Sequence, residues 1–182
     1  VFAFFTGTVS AVMIDSLKKL RFKRMELEEL EGHVVLCGWN LAGDLFLEEL
    51  LRDGGEQHVV IITESEELDD AAALAEHEDR VHVLRDDFTR AAVLRQAGIE
   101  RAAFGNVGRS SQGRDARTVL AAMFVEKLNA SIHTTVQLLN AENEVSLREA
   151  GVEDIIVSDE YVGGMMANVV KNRGMVPVVA EI

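Results

Sequence analysis

From residue 33 onward, short apolar runs alternate with longer stretches in which apolar positions recur every three or four residues. The first reads as strand and the second as amphipathic helix. Val34, Val35, Leu36 and Cys37 form the first run, which ends at Gly38. Leu41, Leu45, Leu50 and Leu51 then repeat at helical spacing, so strand, tight turn and helix follow directly on one another. The same reading predicts further strands at His58–Ile62, Val81–Leu84, Arg101–Val107, Ile132–Leu138, Asp154–Val157 and Met175–Val179. It predicts helices at Glu66–Glu78, Thr89–Ala97, Ala116–Leu128, Asn143–Ala150 and Asp159–Lys171, and a polar loop at Arg109–Arg114. Strands alternating with helices specify an α/β fold, a doubly wound parallel sheet with helices on both faces. Its ligands bind beyond the carboxyl ends of the strands, where the strand order switches.

The first residues break this pattern. Residues 1–14 carry no charge, and Lys18, Lys19, Arg21, Lys23 and Arg24 then arrive together. Apolar chain followed by a cationic cluster reads as the cytoplasmic end of a membrane helix. Fourteen residues fall short of the ~20 needed to span a bilayer, so the reading is of the last part of such a helix. An amphipathic helix lying on a membrane or on a partner is the alternative.

Composition narrows the function. A net charge of −13 disfavours nucleic acid, whose phosphates would be repelled. The one cysteine, Cys37, allows no disulfide within the chain and reads as a small core residue. The five histidines are scattered without metal-ligand spacing, and Ser110 and Ser111 lie in no nucleophile elbow. Fewer than 30 residues remain beyond the sheet for a substrate domain. No catalytic set emerges.

A binding set does. Gly38, Trp39, Asn40, Leu41 and Gly43 form a glycine turn opening a helix, where outward amides and the helix dipole suit a pyrophosphate. Asn40 stands where the dinucleotide fingerprint has its middle glycine, and it equally suits a plain helix cap. Glu64 lies 21 residues after Gly43, where an acid accepts hydrogen bonds from ribose hydroxyls, although Thr63 directly follows the strand. Asp87 is placed to accept from an adenine amino group with the Phe88 ring nearby; Asp87 or Thr89 also suits as a cap for the next helix. Asn106, with Arg109 and Arg114 after it, reads as facing phosphate or the distal half of a dinucleotide, or the two arginines as solvated loop residues.

Together these residues resemble the RCK family, regulators of potassium conductance related to the nucleotide-binding subunits of Trk-type transporters. The resemblance rests on Val34–Trp39, on Asp86-Asp87-Phe88-Thr89 with Leu94 and Ala97-Gly98-Ile99, and on Ser146–Val152. It implies a Rossmann-like lobe at 33–157, and a crossover helix and the start of a next lobe at 158–182. It implies the end of a transmembrane inner helix at 1–17, with 18–32 as linker. It further implies a dimer formed by swapping the following lobe, an octameric ring of such domains, and a covalently linked potassium-channel pore above the cytoplasmic face of the membrane; Met165, Met166, Val169 and Val170 give the helix at 159–171 an apolar face that reads as the homodimer contact. The ligand expected is an adenine nucleotide: NAD or NADH, alternatively AMP, ADP or ATP. Some family members are opened by calcium, but the corresponding positions here are Asn106, Gln137 and Leu139, so that calcium site looks absent and any divalent site is unassigned. The function expected is regulatory. A Trk/Ktr transporter subunit, a small NAD-dependent oxidoreductase and a purely structural oligomerisation domain are the alternatives.

Overall fold

The computed structural model describes residues 27–40, 43–52, 56–66, 76–108 and 115–158, and residues 68, 74 and 162 singly. The expected membrane-helix end, the helices at 66–78 (in large part) and 159–171, the strand at 175–179, the loop 109–114 and Leu41 lie outside these residues.

The described chain runs β1 (Val34–Cys37), α1 (Gly43–Leu51), β2 (Val59–Ile62), β3 (Val81–Leu84), α2 (Ala91–Gln96), β4 (Phe104–Val107), α3 (Asp115–Leu128), β5 (His133–Leu138), α4 (Glu144–Ala150) and β6 (Asp154–Val157). The strands form one six-stranded sheet in the order β3-β2-β1-β4-β5-β6. Every neighbouring pair is parallel. The order reverses between β1 and β4, which makes the carboxyl end of β1 the switch point, as expected from the sequence.

The pleat sends alternate residues of β1 into two cores. Val34 and Leu36 pack with Leu47 and Leu51 of α1 and with Trp39. Val35 and Cys37 pack with Val93 and Leu94 of α2, Ala121, Ala122 and Val125 of α3, and Leu147 of α4. Covered on both sides, β1 and β2 bury all four of their residues. This is why both read as continuous apolar runs rather than alternating ones. On the α1 side, β4 and β6 are more open, with Phe104 49% and Ile156 50% exposed.

Three strands start later than predicted. His58 precedes β2, Arg101 belongs to a 3-10 turn at Ile99–Arg101 before β4, and Ile132 precedes β5. Ile99, Ala102 and Ile132 are buried all the same, so their apolar character serves the core from turns. Helix α2 starts at Ala91 rather than Thr89.

Candidate functional site

The glycine turn lies at the switch point. Gly38 takes φ +92°, and a Cβ on it would meet the Gly108 carbonyl oxygen at 3.1 Å and the Phe88 ring at 3.5 Å. The turn is pinned from two sides. Gly38 N–H donates to Ile62 O at 2.8 Å, and Gly108 N–H donates to Cys37 O at 2.9 Å. Gly43 has its own reason to lack a side chain. Three ring atoms of Trp39 lie 2.8–2.9 Å from where its Cβ would stand, and Trp39 is buried at 5% exposure. The Asn40 side chain donates to Gln137 Oε1 of β5 at 3.4 Å, and Gln137 donates to Ser158 Oγ at 2.9 Å. A polar chain thus runs from the turn across the top of the sheet to the end of β6.

On the α1 side, a groove of about 450 Å³ opens below that turn. Trp39, Phe46, Phe104 and Ile156 line it with Asn40, Asn106, Thr135 and Gln137. It reaches from Gly38 and Gly108 at the carboxyl edge to Gln57 and Phe104 at the amino edge. Asn106 therefore faces this groove.

On the far side of Gly38, the carboxyl ends of β2 and β3 carry the two predicted acids. Arg117, in the first turn of α3, donates through one nitrogen, Nη2, to Glu64 Oε2 at 2.5 Å and to Asp87 Oδ1 at 2.7 Å. Its guanidinium also lies over the Phe88 ring, 5.0 Å from the centroid. Asp87 Oδ1 accepts from Thr89 N–H and Thr89 Oγ as well, at 2.9 and 2.8 Å. This is a local turn, and Arg90 takes the cap position of α2 without a side-chain bond. The expected capping of α2 by Asp87 or Thr89 is therefore corrected: the carboxylate bonds two residues ahead, before the helix begins. Burial pushes the Asp87 carboxyl up, but the Thr89 bonds and Arg117 outweigh it and hold it below the usual carboxylate range. Arg117 is pushed up by its bond to Glu64, against burial, with Asp87 adding to the rise. Phe88 is 2% exposed. It supports Gly38 and Arg117 from beneath, and does not stand at the surface.

Arg117 was not singled out from the sequence. One signal pointed to it: a cation in the first turn of a helix opposes the helix dipole and needs a partner elsewhere. Asp115 also escaped notice. Its carboxylate accepts from Leu139 N–H at 3.0 and 3.1 Å and from Asn140 N–H at 3.3 Å, fixing the start of α3 to the end of β5.

The remaining candidates are structural. Burial pushes the Cys37 thiol up to about 12, which keeps it protonated and inert. His33 is buried and bonds to Ala97 O through Nε2 at 2.8 Å. Burial lowers its pKa despite that bond. His58 and His82 stack at 5.6 Å before β2 and within β3, at the other end of the strands from the acids. Among the described residues no group of three His, Cys, Asp or Glu side chains could hold a metal ion. Of Asn106, Gln137 and Leu139, the first two line the groove.

The family model described as the TrkA-N domain matches residues 34–158. The calcium-gated potassium channel TvoK of Thermoplasma volcanium is 25% identical over 178 residues, 93% of this chain and 49% of that protein. The chain thus spans about half the length of this curated relative. Among solved structures, the TrkA-N domain of the inner membrane protein ybaL from Escherichia coli aligns with a TM-score of 0.64 and 15% identity, over 78% of this chain and 98% of that one. The GsuK RCK domain aligns at 0.56 and 17%, over 70% of this chain and 26% of that one. The GsuK channel bound to NAD aligns equally, over 70% and 22%. At these identities the structures speak for the fold, which is the doubly wound sheet expected.

Proposed function

The chain belongs to the TrkA-N domain family, and from that premise we propose that it is a regulatory domain of a potassium channel that binds an adenine nucleotide, NAD or NADH first among them. The observation that carries this is the edge at the switch point. A glycine turn, left-handed at Gly38 and tight against the Gly108 carbonyl, is flanked by Glu64 and Asp87 on one side and by Asn40, Asn106 and Gln137 on the other. The donor set fits a dinucleotide laid across β1. The two acids would accept from ribose hydroxyls and an adenine amino group. The turn would meet the pyrophosphate through backbone rather than side chain. The amides of Asn40, Asn106 and Gln137 would face the distal half. The potassium-channel relative and the NAD-bound GsuK channel support this reading.

The regulatory part follows from linkage. A nucleotide shifts a channel only by the difference in its affinity for the closed and open arrangements. The ring of domains, the homodimer through 159–171 and the link through 18–32 to a pore at the cytoplasmic face would turn that difference into work on the inner helices. Calorimetry on the 182-residue chain with NAD, NADH, AMP, ADP and ATP, repeated on Glu64→Gln, tests the reading. The parent is expected to bind at least one of them. Glu64→Gln is expected to bind it about tenfold or more weakly, since hydrogen bonds to a charged acceptor each contribute ~1.5–3 kcal/mol. Failure of every nucleotide to bind the parent, or equal affinity for Glu64→Gln, would overturn it.

A further inference from the structure

We propose that Arg117 is the positioning residue of the adenosine subsite, tying Glu64 and Asp87 into one rigid edge while leaving each carboxylate an oxygen for the ligand. This rests on the nucleotide reading above and goes beyond it, since no family motif singled out Arg117.

The geometry is specific. Glu64 and Asp87 follow adjacent strands, and both must stay ionised and aimed the same way to hold one adenosine. Two like charges at such range repel, and each long side chain loses rotamer entropy on being fixed. The single Nη2 of Arg117 bonds both, one proton to each. Glu64 engages through Oε2 and Asp87 through Oδ1. Among the described residues, Glu64 Oε1 and Asp87 Oδ2 carry no hydrogen bond and remain available as acceptors. The guanidinium rests over the buried Phe88 ring, which favours this position, and its side chain is only 27% exposed. The helix dipole does not explain a cation at this position; the two acids do. Among the described residues, Glu66, Arg85 and Asp86 line a shallow pocket with Glu64. Arg90 pairs with Asp86 at 3.1 Å, and Arg85 donates to the Ser65 carbonyl.

The arrangement has a consequence for the sheet. Arg117 stands on α3, which packs on β4 and β5. The tie therefore couples the two halves of the sheet across the switch point, and the adenosine acids keep their places relative to the glycine turn.

The test compares the parent with Arg117→Met, which keeps the stem over Phe88, and Arg117→Lys, which keeps the charge. Calorimetry with AMP and with NAD is expected to show both ligands weakened by the same factor in Arg117→Met, about ten- to a hundredfold. Part of that loss should return in Arg117→Lys. Carboxyl ¹³C titration without nucleotide supplies an independent readout: the Asp87 midpoint should move upward in Arg117→Met. If the parent binds neither ligand, the nucleotide reading fails and this inference falls with it. If the parent binds but Arg117→Met binds equally well, with the Asp87 midpoint unmoved, only the inference on Arg117 is overturned.

Discussion

Replacing Gly38 by alanine should damage the domain for two separable reasons, and a second glycine allows them to be told apart. Gly32 takes φ +66°, with nothing within 4 Å of where a Cβ would stand. Gly32→Ala therefore carries the left-handed backbone cost alone, ~1–2 kcal/mol. Gly38, at φ +92°, carries a comparable cost and places its Cβ 3.1 Å from the Gly108 carbonyl oxygen. That oxygen cannot retreat freely, because the Gly108 amide is bonded to Cys37 O at 2.9 Å. Relieving the contact means bending the turn between β1 and β4, at a further ~1–2 kcal/mol, as for other overpacked sites. The total for Gly38→Ala is then ~2–4 kcal/mol. At an m-value of ~2 kcal/mol/M this lowers the urea midpoint by roughly 1–2 M. Trp39, adjacent to Gly38 and the only tryptophan, reports the transition by fluorescence. Equal losses for Gly38→Ala and Gly32→Ala would show that the Gly108 contact contributes nothing. A loss under about 0.5 kcal/mol at both positions would contradict the left-handed backbone itself.

Two further substitutions test the surroundings. Gly43→Ala drives a methyl group into the Trp39 ring, so the indole should leave its buried seat, shifting its emission to longer wavelength at a cost of ~1–3 kcal/mol; unchanged emission would refute the packing. Glu126 is pushed up by burial, with Glu153 adding to the rise, and its Oε1 has no hydrogen-bond partner among the described residues. A carboxyl raised in the folded state contributes stability that is complete below its unfolded pKa and lost as pH rises through the folded one. Glu126→Gln should therefore melt higher than the parent at pH 7 and the same at pH 4, and a parent that melts higher at pH 7 would refute the sign.

What the chain disclosed in advance follows a physical line. The strands Val34–Cys37, Val81–Leu84 and Asp154–Val157 were legible to the residue, because turn-forming or charged residues bound their apolar runs. The starts of β2, β4 and β5 were not, since buried residues such as Ile99 and Ile132 look alike in a strand or in the turn before it. That Gly38, Glu64 and Asp87 stand together at the carboxyl edge of the sheet was legible because they sit at fixed offsets from strand ends. Arg117 was not, because its meaning depends on residues 64 and 87 arriving from two other strands. The groove belongs to no single segment: α1 and the four strands β1, β4, β5 and β6 make it, and a linear pattern does not express such a surface.

The central place of β1 also bears on how the protein is made. One edge of β1 pairs with β2, in the register Val34 to Val59, and the other with β4, Val34 to Phe104. A ribosome that has released β1, β2 and β3 has therefore released half a sheet with a wholly apolar strand, β1, at an open edge. At ~5–20 residues per second, β4 emerges roughly 4–14 s after β1. For that interval Val-Val-Leu-Cys offers unpaired amides and carbonyls to any extended chain nearby. The strand that places the glycine turn at the middle of the finished sheet is, during synthesis, the one most in need of a chaperone.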